Sequence, residues 1–401
     1  MPRSDRQPSG TIPNGWQPVS LDECVRPDAP ICYGILMPGP HCAGGVPVVK
    51  VKDIVDGRVT ESGLLFTHRT IDDAYKRSRL ATGDVLVTIR GTTGRLALVS
   101  SRLSGANITQ DTARVRVKDS VDSRFVYFAL QSHRLQHQIA LRTIGQAVKG
   151  INIRDVRALA LGLPDTIQEQ RAIAGALSDV DALLEGLTRL IAKKRDLKQA
   201  AMQQLLTGQT RLPGFHDAWE VRTVAEIERS KVVRLGRGQV ISKKDIEDKR
   251  GDSPIYSSSV HNGGLFGCYG EFMFDEELIT WSIDGGGNFF YRPKHKFSVT
   301  NVCGFMQVDT SRVSYRFLAA ELQLLHSRKS FDYQSKAHPS VVRKEYEVGL
   351  PPLSEQIAIA AALSDMDAEL SVLEARRDKT RALKQAMMQE LLTGRTRLTG
   401  F

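Results

Sequence analysis

Two stretches of the chain carry a sustained helical period. In the first, Ile173, Leu177, Val180, Leu184, Leu187 and Ile191 recur at spacings of 4, 3, 4, 3 and 4; in the second, Ile359, Leu363, Met366, Leu370 and Leu373 repeat the pattern. Alternating steps of three and four put apolar side chains along one seam of a helix, as in coiled coils. Punctuation residues mark the ends. Pro164 and Pro351 stand just ahead of the two stretches, and Gly208 and Gly394 follow a Leu-Leu-Thr in each, where glycine can take the left-handed conformation that closes a helix. Each stretch predicts a helix of about 38 residues, roughly 57 Å at about 1.5 Å per residue. That is too long for one small domain to cover, so the two helices are expected to pair.

The stretches are copies of one another. Glu169–Phe215 aligns with Glu355–Phe401 without a gap at a shift of 186 positions, with about 30 of the 47 pairs identical. Between them, residues 16–162 and 219–349 lack a sustained helical period and are rich in glycine, β-branched and aromatic residues, which predicts mixed domains with much strand. These also align at points. Asp84-Val-Leu-Val-Thr-Ile-Arg-Gly91 matches Leu278-Ile-Thr-Trp-Ser-Ile-Asp-Gly285, Ile108-Thr109-Gln110 matches Val299-Thr300-Asn301, and Phe125–Ala129 matches Tyr315–Ala319. In the second domain, Asp275-Glu276-Glu277 stands before the strand. Trp16 and Trp219 open the two domains, and Arg211-Leu-Pro-Gly-Phe215 recurs as Arg397-Leu-Thr-Gly-Phe401. The expected architecture is α+β: two mixed α/β domains separated by two long antiparallel coiled-coil helices in a pseudo-twofold cyclic repeat. The expected boundaries are a flexible N-terminus at 1–15, domains at 16–162 and 216–349, and helical segments at 163–215 and 350–401.

Composition narrows the chemistry. With 401 residues, 41% apolar and 25% charged, the sequence has the make-up of an ordinary globular protein. No run approaches the roughly 18 apolar residues of a membrane span, and Met1–Gly15 lacks the apolar core of a secretory signal, so a cytoplasmic location is expected. The five cysteines form no Cys-x-x-Cys pair, and neither a metal site nor disulfides are expected. The net charge of +10 favours a polyanionic partner, nucleic acid first. There is no Asn/Asp-Pro-Pro-Tyr/Phe motif of amino-methyltransferases and no Gly-x-x-x-x-Gly-Lys-Ser/Thr phosphate loop. The glycine turns Gly91–Gly94 and Gly285–Asn288 read as strand connections, Glu247-Asp248-Lys249 as a solvated charge run, and His41-Cys42 as a pair without a second pair to complete a metal site.

The paired Glu-Gln helix openings (Leu350-Pro-Pro-Leu-Ser-Glu-Gln356 and Gln168-Glu-Gln170), the Leu-Lys-Gln-Ala…Leu-Leu-Thr-Gly endings and the phrase Gly83–Gly91 resemble the DNA specificity subunits of type I restriction-modification systems. The resemblance covers nearly the whole chain. It implies two target recognition domains, each followed by a spacer helix, in a non-catalytic subunit that reads a bipartite, asymmetric target in double-stranded DNA. It further implies two methyltransferase subunits and restriction subunits as partners, with S-adenosylmethionine, ATP and Mg held by those partners and no cofactor by this chain. Base reading needs polar side chains on loops, backed by cations on phosphates. The candidates are Arg90, Thr92, Thr93, Arg95, Arg142, Gln146 and Lys149 in the first domain, and Asn288, Tyr291, Gln334, Lys336 and His338 in the second. Lys198, Gln199, Lys384 and Gln385, identical in both helix copies, are the candidate docking surface for partners. A two-domain coiled-coil scaffold that binds protein is the second reading the residues leave open.

Overall fold

Both long helices form, over Ile167–Leu206 and Leu353–Leu391. They close as their glycines predict, with Gly208 at φ +69° and Gly394 at φ +68°. In the first seam Ile173, Leu177, Leu187 and Ile191 are buried, and in the second Ile359, Leu363 and Leu370. The computed structural model describes residues 13–145, 149–258, 261–284, 288–329 and 336–398. The stretch 1–15, expected to be flexible, lies outside the described residues up to position 12. The chain divides into two units, one of Met1–Gly186 with Arg376–Phe401 and one of Leu187–Ala375. Each unit therefore combines the beginning of one helix copy with the end of the other.

In the first unit, Trp16–Ser20 pairs antiparallel with Ala160–Pro164, so the domain's two ends meet where the helix begins. A four-stranded sheet runs in the order Cys32–Tyr33, Thr112–Val115, Val85–Thr88, Leu96–Leu98, and a three-stranded sheet in the order Leu65–Thr67, Val46–Val49, Asn107–Ile108. Val85–Thr88 is buried on both faces. Successive strand side chains point to opposite faces, so Val85 and Val87 join the core under the helix Ser123–Gln131 while Leu86 joins a second cluster with Ala97 and Ile108. Ile173, Leu177, Met388 and Leu391 of the long helices complete the first of these cores.

The second unit holds a six-stranded sheet, in the order Val233–Arg237, Cys303–Val308, Phe274–Ser282, Phe289–Val299, Ser253–Tyr256, Leu265–Tyr269. The helix Tyr315–Ser327 packs on it over Ile279 and Trp281, and Glu220–Thr223 with Glu347–Leu350 ties the ends. Asp275–Glu277 do not precede the strand but belong to it, with a bulge between Glu276 and Leu278.

Two of the expected internal matches differ in outcome. Ile108 and Val299 correspond: each lies in a strand with one parallel partner, and a Cβ on Gly34 or Gly238 would meet their carbonyl oxygens at 1.9 and 2.2 Å. The match of Phe125 to Tyr315 is off by two residues. Phe125 packs edge-to-face on Trp16 and Phe317 on Trp219, both with centroids 6.0 Å apart. Asp122 and Ser314 cap the two helices, and their backbone N–H groups donate to Gln170 and Gln356, each at 2.9 Å. Apolar similarity alone could not fix that register, because helices tolerate many apolar alignments.

The Glu-Gln openings and the Arg-Leu-x-Gly-Phe endings turn out to be two halves of one joint. In the first unit Arg397 donates to both oxygens of buried Glu169, at 2.6 and 2.8 Å. In the second, Arg211 donates to both oxygens of Glu355, at 2.5 Å each. Gln170 and Gln356 also donate to the carbonyls of Pro164 and Pro351. Each joint thus takes its carboxylate from one helix copy and its guanidinium from the other. A buried pair with both hydrogen bonds satisfied tolerates replacement of both partners far better than loss of one. We expect Arg211→Met to lower the thermal midpoint of the chain by several degrees, and the double variant Arg211→Met, Glu355→Met to recover most of that loss in calorimetry.

Glu321, on the helix of the second unit, is buried; Oε1 accepts the Gly349 N–H at 2.5 Å, and Oε2 has no partner among the described residues. Burial pushes its carboxyl up to about 8, with the Gly349 bond acting in the opposite direction. The folded chain then keeps a proton that the unfolded chain releases near its ordinary value of 4.5. Stability from this group is present below that value and is lost as pH rises towards about 8. Glu321→Gln is expected to gain stability relative to the parent as pH rises through this window, measured as the difference in urea midpoints at low and high pH; an equal difference at both would contradict a protonated native carboxyl.

Candidate nucleic-acid interface

The hairpin Val85–Thr88 to Leu96–Leu98 carries the first glycine turn, as the sequence predicts. Thr88 stitches it: Oγ1 donates to the Thr92 carbonyl at 2.5 Å and accepts the Arg95 N–H at 2.9 Å. Gly91 and Gly94 hold φ of +74° and +83°, a region in which side chains are strained. The turn is joined to the segment beyond helix His133–Arg142. The Gly91 N–H donates to the Lys149 carbonyl at 2.9 Å, Thr93 and Thr143 share a hydroxyl hydrogen bond of 3.3 Å, and Arg90 and Ile144 each bridge to Gly150. Candidates more than 40 positions apart in sequence therefore come together.

Arg90 is exposed and donates to Gln110 Oε1 at 3.3 Å. Arg95 is exposed and reaches the Ile54 carbonyl at 3.4 Å, Thr92 is exposed, and Thr93 is half-buried. Arg142 is half-buried and bonded to the Gln138 carbonyl, and Lys149 is exposed. None of Arg90, Arg95, Arg142 and Lys149 forms an ion pair among the described residues. Gln146 lies outside the described residues.

The second cluster is built on the same plan with different chemistry. Phe274–Ser282 and Phe289–Val299 pair antiparallel, with Trp281 opposite Phe289, and Gly285–Gly287 between them lie outside the described residues. Lys336 pairs with Asp284 at 2.8 Å, and Trp281 Nε1 donates to the Ala337 carbonyl at 2.8 Å, which brings Lys336 and Ala337 to the end of the strand Phe274–Ser282. Asn288 is half-buried and accepts from Gln323 at 3.2 Å. Tyr291 is occupied: its hydroxyl donates to Glu277 at 2.8 Å, Arg316 lies over its ring, and burial together with Glu277 raises its pKa. His338 caps the helix Pro339–Glu345, with Nδ1 accepting the Ser340 N–H. Gln334 lies outside the described residues.

The candidate docking lysines are engaged within their own units. Lys198 pairs with Asp367 in the second unit, and Lys384 pairs with Asp181 at 2.6 Å in the first. These are equivalent pairs at the repeat's shift. Gln199 and Gln385 are exposed. The sequence reading missed Gln110, which sits beside Arg90, and Gln136, whose Nε2 donates to the Gly94 carbonyl at 3.1 Å and fixes the turn on the helix. Gln110 was visible as the polar end of Ile108-Thr109-Gln110; Gln136 carried no local signal.

The family model of the type I restriction modification DNA specificity domain matches residues 41–193 and again 216–380, and the chain belongs to that family. Among its relatives, the type I restriction enzyme EcoBI specificity subunit of Escherichia coli is 28% identical over 203 residues, covering 49% of this chain and 42% of that protein. The putative type I specificity subunit S.MpnORF285P of Mycoplasma pneumoniae is 34% identical over 152 residues, 37% of this chain and 46% of that protein. The matches thus span a little under half the length of these relatives. In fold, the chain is similar to the type I restriction-modification S subunit from M. genitalium, with a TM-score of 0.61 at 17% identity over 96% of this chain and 98% of that one. A chain from a study of complex assembly and conformational transition of the type I R-M system gives 0.58 at 16% identity, over 97% and 100%.

The first turn allows a local test. Gly91→Ala meets open space and carries only the positive-φ penalty of about 1 kcal/mol, whereas a Cβ on Gly94 would lie 2.8 Å from Gln136 Oε1. Gly94→Ala is expected to destabilise more than Gly91→Ala in urea unfolding.

Proposed function

We propose that the chain is the DNA-reading, non-catalytic specificity subunit of a type I restriction-modification assembly. The observation that carries the reading is the joining of the glycine turn, with exposed Arg90 and Arg95, to Ile144, Lys149 and Gly150 in a chain of net charge +10. Cations of this kind suit phosphates, and the neighbouring Thr and Gln side chains suit base edges. Residues 16–162 and 216–349 act as target recognition domains. Because Arg90, Thr92 and Arg95 are unlike Asn288 and the paired Lys336, the two half-sites differ and the target is bipartite and asymmetric. Arg90, Thr92, Thr93, Arg95, Arg142, Gln146 and Lys149 serve one half-site, with Asn288, Gln334 and Lys336 on the other; Tyr291 and His338 support the second cluster.

The helices act as an antiparallel coiled-coil spacer in a pseudo-twofold cyclic repeat. Support comes from the equivalent pairs Lys198–Asp367 and Lys384–Asp181 and from the two Arg–Glu joints, each linking one copy to the other. Exposed Gln199 and Gln385, rather than the paired lysines, offer the docking groups for two methyltransferase subunits, with restriction subunits joining through them. S-adenosylmethionine, ATP and Mg belong to those partners, and the assembly works in the cytoplasm.

Exchanging residues 16–162 for the corresponding domain of a relative, and assembling the product with methyltransferase subunits, is expected to alter one half of the methylated target and leave the other intact. Methylome sequencing in which both halves change, or in which the original target persists, would contradict independent reading by the two domains.

A further inference from the structure

Thr112–Val115 crosses the middle of the first unit's sheet with all four residues buried. Ala113 and Val115 face the main core, and Arg114 faces the other way. Arg114 is only 2% exposed. Its Nη2 donates to the Pro30 carbonyl at 3.0 Å and approaches Cys32 Sγ at 3.7 Å, while Nε has no acceptor among the described residues. No carboxylate pairs with it there. A guanidinium taken out of water without a counter-charge is costly, and an anion bound beside it would offset that cost.

Arg114 lines a cleft with Lys76, Arg77, Arg116 and Arg157. The acids nearby are already committed. Asp28, on the rim, is held by Arg26 at 3.1 and 3.2 Å; Asp84 is held by Arg116 at 2.8 Å through both oxygens; and Asp22 lies 3.6 Å from Arg157. Arg77, exposed, lies over the Tyr33 ring at 5.7 Å and has no ion pair among the described residues. Buried Arg114 and exposed Arg77 thus line one cleft, and neither has a carboxylate partner among the described residues. Guanidinium forks match the oxygens of a phosphate, which can take two parallel hydrogen bonds from one fork.

The cleft shares Tyr33 and Ile153 with a neighbouring cleft lined by Arg90, Gln110 and Ile144, part of the candidate reading cluster. We propose that the Arg114–Arg77 cleft is a phosphate site, and that the phosphate it takes is a backbone phosphodiester flanking the bases read by the first domain. The choice of DNA as the source rests on the function proposed above; the phosphate chemistry does not. The site anchors the duplex without sequence preference, while the Arg90 turn beside it discriminates.

The test uses the full chain, Arg77→Gln and Arg114→Met, with inorganic phosphate and short duplexes as probes. In the parent, phosphate is expected to raise the thermal midpoint above that in chloride at equal ionic strength, and Arg77→Gln is expected to weaken the effect. Against DNA, Arg77→Gln is expected to reduce the slope of log affinity on log salt by about one, equally for target and unrelated duplexes. Arg90→Ala should instead narrow the gap between target and unrelated duplexes. If Arg114→Met does not fold, Arg77→Gln alone decides. A phosphate effect with an unchanged DNA slope would retain the anion site and overturn DNA as its source. The same effect in a chain that binds no duplex would leave the site standing and overturn the function. No phosphate effect and unchanged DNA binding in folded variants would overturn the site.

Discussion

The two buried arginine–glutamate joints are the constraint on which the rest of the chain depends. A carboxylate at the first turn of a long helix, fully removed from water, can be accepted only if a guanidinium meets both oxygens. In each unit that guanidinium comes from the tail of the other helix copy, and the joint then fixes much else. The tryptophan that opens each domain packs against the glycine that closes the opposite copy's helix, with Gly394 against Trp16 and Gly208 against Trp219. The same tryptophan supports Phe125 of the helix Ser123–Gln131 or Phe317 of the helix Tyr315–Ser327, and the neighbouring glutamine accepts the N–H of that helix's capping residue and holds the proline carbonyl before the long helix. One ion pair thus sets where the domain starts, where it ends and how it sits on its helices.

Much of this was legible in the sequence, and for physical reasons. Seam periodicity and terminal glycines specify a helix locally, so both long helices and their ends could be read directly. The glycine turn Gly91–Gly94 could be read as a strand connection because turn chemistry is also local, while Gly285–Gly287 lie outside the described residues. What was not legible depended on contacts between distant positions. Glu169 and Arg397 were recognised as repeated letters but not as partners, since a repeat states that residues are equivalent and is silent on what they touch. The match of Phe125 to Tyr315 slipped by two because apolar helix residues resemble one another more than their caps do. For the same reason the lysines conserved between copies read as a docking surface, although their carboxylates, Asp181 and Asp367, were conserved alongside them.

The candidate reading clusters illustrate the opposite balance. Their described scaffolds agree, each an antiparallel strand pair touched at its end by residues from later in the domain, but the side chains offered there do not. In the first unit Arg90, Arg95, Arg142 and Lys149 have no carboxylate partner among the described residues; in the second Lys336 is neutralised by Asp284, and Tyr291 is held by Glu277 and by Arg316 over its ring. Folding constrains Val85–Thr88 and Leu278–Ser282, which are buried, and the turn glycines, but leaves Arg90, Thr92 and Arg95 exposed. Divergence between the domains therefore collects where it costs stability least.

The helix copies differ in their middles, and the difference has a bearing on how such a chain can change. Lys194 and Arg195 pair with Glu369 and Glu374 in the second unit, while the positions equivalent to Lys194, Glu369 and Glu374 hold Thr380, Leu183 and Thr188. The two end joints, by contrast, use the same residue pair at both sites. A recombination event that imports a foreign domain between those ends inherits a socket it already fits. A domain can then be exchanged in a single genetic step, while the frame that holds it is left as it was.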